Sequence, residues 1–306
     1  MRYKHLVIVL PVLIFLSFSA GAQSAVKKTT DQLGRSVMLP DNPQRIISFA
    51  PSITEIIYGL GQEHRLAGVT RFSDFPPEAE KLPKVGSFVR LDLERIVALK
   101  PDLCIAIKDG NPRAVVERLE SLQVPVYVVN PRDLDSVMET VIEIGALLNA
   151  GKKAKSLVQK MRSRIQRVEF LVAKASNRPR VFYQVGISPI VSAGSDTFIH
   201  ELILLAGGEN LAQGTTGYPR FSREQVLTFS PEVFIITSMA RGEVFERVKK
   251  EWSRWTTIPA VRDQRIFLVD SSLFDRPTPR LLEGLELLVR LIHPELFEPE
   301  LFEDEQ

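Results

Sequence analysis

The stretch Asp92-Leu-Glu-Arg-Ile-Val-Ala-Leu-Lys-Pro-Asp-Leu-Cys-Ile-Ala-Ile107 predicts a helix that is followed directly by a buried strand. Asp92 is a residue type that caps helices, and apolar residues at helical spacing come after it. Pro101 ends the helix, because the residue before a proline is disfavoured in the α region. The unbroken apolar run Leu103–Ile107 is typical of a strand buried on both faces of a parallel sheet.

The same pattern returns in the second half of the chain as Ser222-Arg-Glu-Gln-Val-Leu-Thr-Phe-Ser-Pro-Glu-Val-Phe-Ile-Ile-Thr237. Ser222 takes the place of the first capping residue, and Glu94 and Glu224 stand at equivalent positions in the two copies. One such unit in each half predicts two similar lobes related by a pseudo-twofold axis. The cleft between two such lobes is a natural site for a ligand.

Strand and helix patterns alternate from residue 45 onward in both halves. This alternation predicts an α/β fold with two lobes, each a mainly parallel central sheet flanked by helices. In the first half, a strand pattern at residues 45–50 leads into Ser52-Ile-Thr-Glu55, which fits a capping box at a helix start.

Residues 151–176 predict one long amphipathic helix, since they lack proline and carry apolar residues at spacings of three and four. Its length would be about 37 Å at 1.5 Å per residue. Such a helix can bridge two lobes; the alternative is a helix that lies across a single domain. The bridging interpretation places an N-terminal lobe at residues 23–150 and a C-terminal lobe with an acidic tail at residues 177–306.

Residues 1–22 have the pattern of a signal peptide. Arg2 and Lys4 precede an apolar run at residues 6–18, and Ala20-Gly-Ala22 provides a cleavage signal. The run is too short for a membrane anchor and contains Pro11. No cysteine stands at the cleavage point, which argues against a lipoprotein, so we expect an exported periplasmic protein.

The charge balance argues against nucleic acid as a partner. The chain has 39 Lys and Arg against 37 Asp and Glu, and loss of Arg2 and Lys4 leaves 37 of each. A neutral balance gives no electrostatic footprint for a polyanion. The single cysteine, Cys104, cannot form an internal disulfide and is expected to be a small core residue.

Catalytic and metal-binding patterns are also missing from the sequence, which favours a binding protein over an enzyme. His64, His200 and His293 are widely separated, whereas transition-metal sites usually draw on clustered histidines and carboxylates. We therefore predict neither a metal site nor a cofactor. Asp196 and Glu201, near His200, are interpreted as helix-start and exposed-face charges.

Two sets of motifs stand out in residues 45–292. The first set is the two stretches at residues 45–55 and 93–103. The second set is Phe72-Ser-Asp-Phe-Pro-Pro77, Gly110-Asn111, Tyr183-Gln-Val-Gly-Ile-Ser-Pro189, Tyr218-Pro-Arg-Phe-Ser-Arg-Glu224 and Phe274-Asp-Arg-Pro-Thr-Pro-Arg280. Over nearly all of residues 45–292 the chain resembles the periplasmic substrate-binding proteins of ABC importers for siderophores, haem and vitamin B12, in which the first set recurs. The second set is more typical of the vitamin B12 branch, which the chain resembles most.

The resemblance implies a monomeric protein that captures cobalamin, or a related corrinoid, in the cleft and delivers it to an ABC-type importer. It implies that Glu94 and Glu224 dock against the permease. At the positions of Phe88 and Tyr218 in this chain, the B12-binding relative that it most resembles has tryptophan. At the position of Ser272 that relative has an acidic residue. The implied ligand-binding residues are Ser52, Phe72, Phe88, Val185, Tyr218, Ser272, Leu273 and Arg276.

A ferric siderophore or haem remains the alternative ligand. An anionic siderophore would require several basic residues in the cleft, whereas the implied set offers chiefly Arg276. Haem would usually require a Tyr or His axial ligand, for which Tyr218 is the candidate.

Overall fold

The computed structural model describes residues 25–238 and 243–297. The predicted signal peptide at residues 1–22 and most of the acidic tail lie outside the described residues. None of the helices in these two ranges is both long and apolar enough to cross a membrane.

The N-terminal lobe is centred on a parallel sheet in which β4, β3, β5 and β6 lie in that order. Its elements, in chain order, are β1 (Val26–Thr30), β2 (Ser36–Pro40), β3 (Ile46–Ser48), α1 (Pro51–Gly59), β4 (Leu66–Val69), α2 (Leu93–Ala98), β5 (Leu103–Ile107), α3 (Arg113–Ser121), β6 (Val126–Val129) and α4 (Leu134–Leu147). Helix α5 (Gly151–Val172) follows.

The C-terminal lobe has a mixed sheet in which β10, β8, β7, β11 and β12 lie in that order, with β9 also paired to β7. Strands β7, β11 and β12 are parallel, and β8 and β10 are antiparallel additions. The elements are β7 (Arg180–Gly186), β8 (Ile190–Ser192), α6 (Phe198–Leu205), β9 (Glu209–Asn210), β10 (Arg220–Phe221), α7 (Arg223–Phe229), β11 (Val233–Ser238), α8 (Glu243–Trp252), α9 (Pro259–Arg262), β12 (Ile266–Asp270) and α10 (Leu281–Ile292).

The internal repeat predicted from the sequence is confirmed. Asp92 caps α2 by accepting a hydrogen bond from the amide of Arg95, and Ser222 caps α7 through the amide of Gln225. The residue before each proline, Lys100 or Ser230, has a positive φ of 47° or 49°, so both helices end in the same left-handed turn. Each helix then leads into an interior strand of its sheet, β5 or β11. The predicted two-lobed α/β class is confirmed with it.

Helix α5 joins the two lobes and packs against α4 on one side and α10 on the other. Its buried residues, Ala154, Val158, Met161 and Val168, follow helical spacing along one stripe. The helix is four residues shorter than the predicted 151–176 segment. The guanidinium of Arg164 donates to both carboxylate oxygens of Glu286 at 2.7 and 2.8 Å, which fixes α5 to α10.

The start of α1 differs from the prediction. The capping box at Ser52 and Glu55 is wrong, because the helix begins at Pro51 with Ala50 as its N-cap and no side-chain cap. Proline is well suited to the first helical position, where its missing N–H has no partner to lose. The earlier start moves Ser52 and Glu55 inside the helix, where both are buried.

Candidate ligand-binding cleft

A cavity of about 1380 Å³ lies between the two lobes and is lined by residues from both. On the N-terminal side, its walls are the segments that follow β3, β4, β5 and β6, because the carboxyl ends of parallel strands meet at one edge of a sheet. On the C-terminal side, the walls come from the segments after β8 and β12 and from the loop at Gly217 and Tyr218.

The cavity brings together six of the eight side chains that the sequence implied. The lining includes Ser52, Phe72, Phe88, Tyr218, Ser272 and Arg276. Val185 and Leu273 are not among the lining residues; both are half-buried and pack against the main hydrophobic core. The pairing of β7 with β8 is irregular between Gln184 and Gly186, and at this irregularity Val185 packs against the core that contains Tyr183.

Aromatic side chains from both lobes line the cleft. Phe72 is 54% exposed on the N-terminal side, and Tyr218 is 56% exposed on the C-terminal side. Phe88 and Phe198 are half-buried and also line the cavity. Large apolar side chains left exposed inside a concave surface are typical of ligand contact.

The loop that carries Phe72 is anchored by a buried group of hydroxyls. Ser73 is 1% exposed, and its Oγ lies 3.0 Å from Thr70 Oγ1 and 3.1 Å from Thr54 Oγ1. Thr54 Oγ1 lies in turn 2.8 Å from Oγ of Ser48 at the end of β3. These hydrogen bonds fix Ser73, the residue that follows Phe72, and so hold the Phe72 segment at the cleft.

The side chain of Arg276 forms hydrogen bonds between the two lobes. Its Nη1 donates to Glu55 Oε1 at 2.9 Å and to Asp74 Oδ1 at 2.7 Å, both on the N-terminal lobe. Arg280 lies close by, with its Nη1 3.6 Å from Glu55 Oε2 and its guanidinium 3.7 Å from the centroid of the Phe75 ring. We call Glu55, Arg276 and Arg280 the interlobe clasp.

Burial raises the pKa of Glu55, while the hydrogen bond and positive charge of Arg276 act in the opposite direction. The carboxylate is nearly inaccessible, with 3% of its side chain exposed. The guanidiniums of Arg276 and Arg280 are therefore the main groups that stabilise the charge of Glu55 in place of water.

Carboxylates outnumber guanidiniums among the described residues of the cleft, by seven to two. Removal from bulk water raises the pKa of Asp275 to about 6. The side chain of Asp275 is exposed to the cavity, but the protein around it reduces the hydration of its charged form. The cleft is therefore a poor environment for an anion. The acidic residues are Asp74, Asp109, Asp133, Asp196, Glu201, Asp270 and Asp275, and the basic ones are Arg132 and Arg276.

The interpretation of Glu201 as an exposed-face charge is wrong. Glu201 is half-buried in the cleft wall, and its Oε2 accepts a hydrogen bond from the amide of Leu134 at 2.9 Å. Leu134 is the first residue of α4 in the other lobe, so Glu201 satisfies a free amide at that helix start. Burial raises the pKa of Glu201. Asp196 also lines the cavity and accepts a hydrogen bond from the amide of Gly217.

Within the two described ranges, no group of three or more His, Cys, Asp and Glu side chains could hold a metal ion. His200 Nδ1 lies 3.1 Å from Asn210 Nδ2, and the buried His293 pairs with Glu295 at 2.7 Å. Cys104 is fully buried in β5, and burial raises the pKa of its thiol.

Glu94 and Glu224 lie outside the cleft lining. Each is exposed in the first turn of its helix, α2 or α7. A hydrogen bond from Ser222 lowers the pKa of Glu224. The two carboxylates therefore occupy equivalent surface positions on the two lobes.

A comparison with known families matches residues 46–273 to the periplasmic binding proteins. The chain belongs to the periplasmic binding protein family. This periplasmic binding protein is 32% identical over 255 residues to the vitamin B12-binding protein of Vibrio parahaemolyticus, over 82% of this chain and 90% of the relative. The resemblance noted in the sequence is confirmed.

Solved structures give the same result for the fold of this periplasmic binding protein. The vitamin B12-binding protein BtuF of Vibrio cholerae superimposes with a TM-score of 0.73 and 30% identity, over 85% of this chain and 100% of BtuF. A periplasmic haem-binding protein from Pseudomonas aeruginosa gives a TM-score of 0.75 and 28% identity, over 82% of this chain and 93% of that one.

Several residues that line the cleft were absent from the eight ligand-binding residues that the sequence implied, among them Asp109, Phe198, Glu201 and Asp275. Asp109 could have been found, because it directly follows the predicted strand Leu103–Ile107 and strand ends of a parallel sheet converge. Phe198 and Glu201 lie at the start of a helix whose position relative to the other lobe has no signature in the sequence.

Proposed function

We propose that this protein captures cobalamin, or a related corrinoid, in the periplasm and delivers it to an ABC-type importer. The observation that carries the proposal is the cavity of about 1380 Å³ in which Phe72 of the N-terminal lobe and Tyr218 of the C-terminal lobe are both exposed. The volume exceeds the roughly 300–1,000 Å³ that is typical of sites for drug-sized ligands. It suits a macrocycle held between two aromatic surfaces.

The chemistry of the walls supports a corrinoid. A corrinoid is a large, nearly neutral macrocycle with amide side chains, so it presents apolar faces and many N–H donors. Aromatic rings provide contact area for the faces, and carboxylates such as Asp196, Glu201 and Asp275 provide acceptors for the amides. The named ligand of the relatives from Vibrio parahaemolyticus and Vibrio cholerae is vitamin B12.

The alternative ligands fit the cleft less well. An anionic ferric siderophore would meet seven carboxylates, and Arg276 is already bonded to Glu55 and Asp74. For haem, the candidate axial ligand is Tyr218, which coordinates iron as a phenolate. Although Tyr218 is exposed to the cavity, the surrounding protein reduces the hydration of its phenolate and so raises its pKa, and the carboxylates of Asp275 and Asp196 raise it further, which disfavours the phenolate.

The proposed partner is the permease of the importer. Glu94 and Glu224 stand on equivalent, exposed first turns of the two repeat units, which suits a partner with twofold symmetry. A carboxylate in a first turn also stabilises its own helix through the helix dipole, and the two roles are compatible.

Retention of a coloured ligand tests the proposed function. The purified protein is mixed separately with cyanocobalamin, haemin and a ferric siderophore and then desalted, and the ligand that remains bound is measured by absorbance. A separate calorimetric titration with each ligand gives the stoichiometry and the affinity. We expect one cyanocobalamin per chain. Failure to bind any corrinoid at micromolar concentrations, together with clear binding of haemin, would overturn the proposal.

A further inference from the structure

Phe88 lies on a short turn at the cleft wall, between Ser87 and Arg90. The turn is closed by a hydrogen bond from the amide of Ser87 to the carbonyl of Arg90 at 2.7 Å, and Gly86 pairs with Leu91 beneath it. Val89, at the tip, is 56% exposed. A turn this short buries little of its own surface, so the direction of the Phe88 ring depends on contacts from elsewhere.

Asn111 supplies one such contact. It is buried, and its Nδ2 donates to the carbonyl of Phe88 at 2.8 Å and to the carbonyl of Phe49 at 3.0 Å. Its Oδ1 accepts from the amide of Ile107 at 2.8 Å. Both amide hydrogens are therefore used, and they tie the turn to the carboxyl ends of β3 and β5, which form the cleft edge.

Gly110 supplies the second contact. Its φ of +129° favours glycine, and a Cβ atom added there would lie 1.9 Å from Cζ of Phe88. The edge of the ring thus packs directly on the Cα of Gly110. Any larger residue would have to displace the ring.

We propose that Gly110 and Asn111 are positioning residues for Phe88, which they hold at the cleft wall before the ligand arrives. The inference rests on the proposed function in one respect, that Phe88 contacts the bound corrinoid. A side chain fixed in advance loses little conformational freedom on binding, so its contact contributes more to affinity than that of a mobile one.

A double-mutant cycle tests the role of Gly110, with cyanocobalamin as the probe. Gly110→Ala should weaken binding about tenfold, the equivalent of one ring contact. In a Phe88→Ala background the same change should alter the dissociation constant by less than about twofold, because no ring remains to be displaced. Gly34→Ala is the matched control, since Gly34 has a φ of +77° with nothing within 4 Å of an added Cβ; it should leave the affinity unchanged. An equal loss in both backgrounds would overturn the role of Gly110.

Hydrogen exchange tests Asn111 without any ligand. Asn111→Asp keeps an acceptor for the amide of Ile107 and loses both donors, so exchange in residues 85–92 should rise about tenfold over the wild type. Gly34→Ala should leave that segment unchanged. If the Asp variant does not fold, the cycle at Gly110 still decides the proposal.

The two measurements separate the inference from the proposed function. Faster exchange in a protein that binds no corrinoid would support the positioning role and refute the ligand class. Normal exchange and normal cyanocobalamin affinity in Asn111→Asp would refute the positioning role and leave the ligand class intact.

Discussion

Nη1 of Arg276 lies 2.9 Å from Oε1 of Glu55, and this contact joins the loop after β12 in one lobe to helix α1 in the other. Side-chain exposure is 17% for Arg276 and 3% for Glu55, so the pair is shielded from water. The loss of one member would leave the other charged and poorly hydrated, which is more harmful than the loss of the whole pair.

Removal of Arg276 should destabilise the protein more than removal of both charges. We expect Arg276→Ala to lower the free energy of unfolding by about 3 kcal/mol, and Glu55→Gln in the same protein to restore part of it. Urea unfolding measures both. Arg113→Ala is the control, because Arg113 pairs with Glu117 at a 91% exposed site and should contribute less than about 0.5 kcal/mol. Equal losses for Arg276→Ala and Arg113→Ala would show that the clasp contributes little.

The two exposed aromatics should account for much of the ligand affinity. We expect Phe72→Ala and Tyr218→Ala each to weaken cyanocobalamin binding by about 1–3 kcal/mol, in proportion to the apolar area they cover. Calorimetry gives the values. Phe170→Ala on α5 removes a ring that is 70% exposed outside the cleft lining, and it should leave binding unchanged. Similar effects of all three substitutions would refute a specific role for the cleft rings.

Asp275 should make the folded state less stable as the pH rises from about 4 to about 6. Its pKa is raised from 3.8 to about 6, so the folded protein holds this proton more tightly than the unfolded chain does. Ionisation of Asp275 is therefore less favourable in the folded protein than in the unfolded chain, and the stability that the bound proton gives is lost as the pH rises through about 6. Asp275→Asn lacks this contribution, so its stability relative to the wild type should increase across the same window and then level off. Urea unfolding at a series of pH values measures the difference, and parallel profiles would contradict the prediction.

Glu94 and Glu224 should matter for delivery and not for capture. The double variant Glu94→Ala, Glu224→Ala should bind cyanocobalamin within about twofold of the wild type, whereas uptake through the matching permease should fall sharply. Each single variant should lose less. Glu169→Ala, an exposed glutamate on α5, is the control for uptake. If the two glutamates only stabilise their helices, the melting temperature will fall slightly and uptake will stay normal.

Ligand binding should change the spacing of the lobes very little. Helix α5, the clasp and the contact between Glu201 and Leu134 join the two lobes directly. Solution scattering with and without cyanocobalamin should give radii of gyration that agree within about 1 Å. A contraction of several ångströms on binding would show that the connection acts as a hinge.

The fold was largely predictable because its signals are local. Helical and strand periodicity, the capping residues Asp92 and Ser222, and the two prolines define elements within a few residues of one another. The hairpin of β1 and β2 was missed, since its strands Val26–Thr30 and Ser36–Pro40 are short and only Val37 and Leu39 in them are buried.

The cleft was only partly predictable because its geometry depends on contacts between distant segments. Glu55 looks like a capping residue in sequence, yet it pairs with Arg276 in the other lobe. Glu201 likewise resembles an exposed helix charge and in fact caps α4 across the cleft. Val185 was carried over from the family pattern; it packs against the main hydrophobic core and is not among the residues that line the cavity.

The interlobe clasp has a kinetic consequence. Because α5 and the clasp join the lobes, we expect no slow closure step before capture, and the observed association rate should rise linearly with ligand concentration. The lifetime of the complex is then set by the contacts within the cleft. Faster release at an importer would therefore require the lobes to be moved apart, which would break the contact between Arg276 and Glu55.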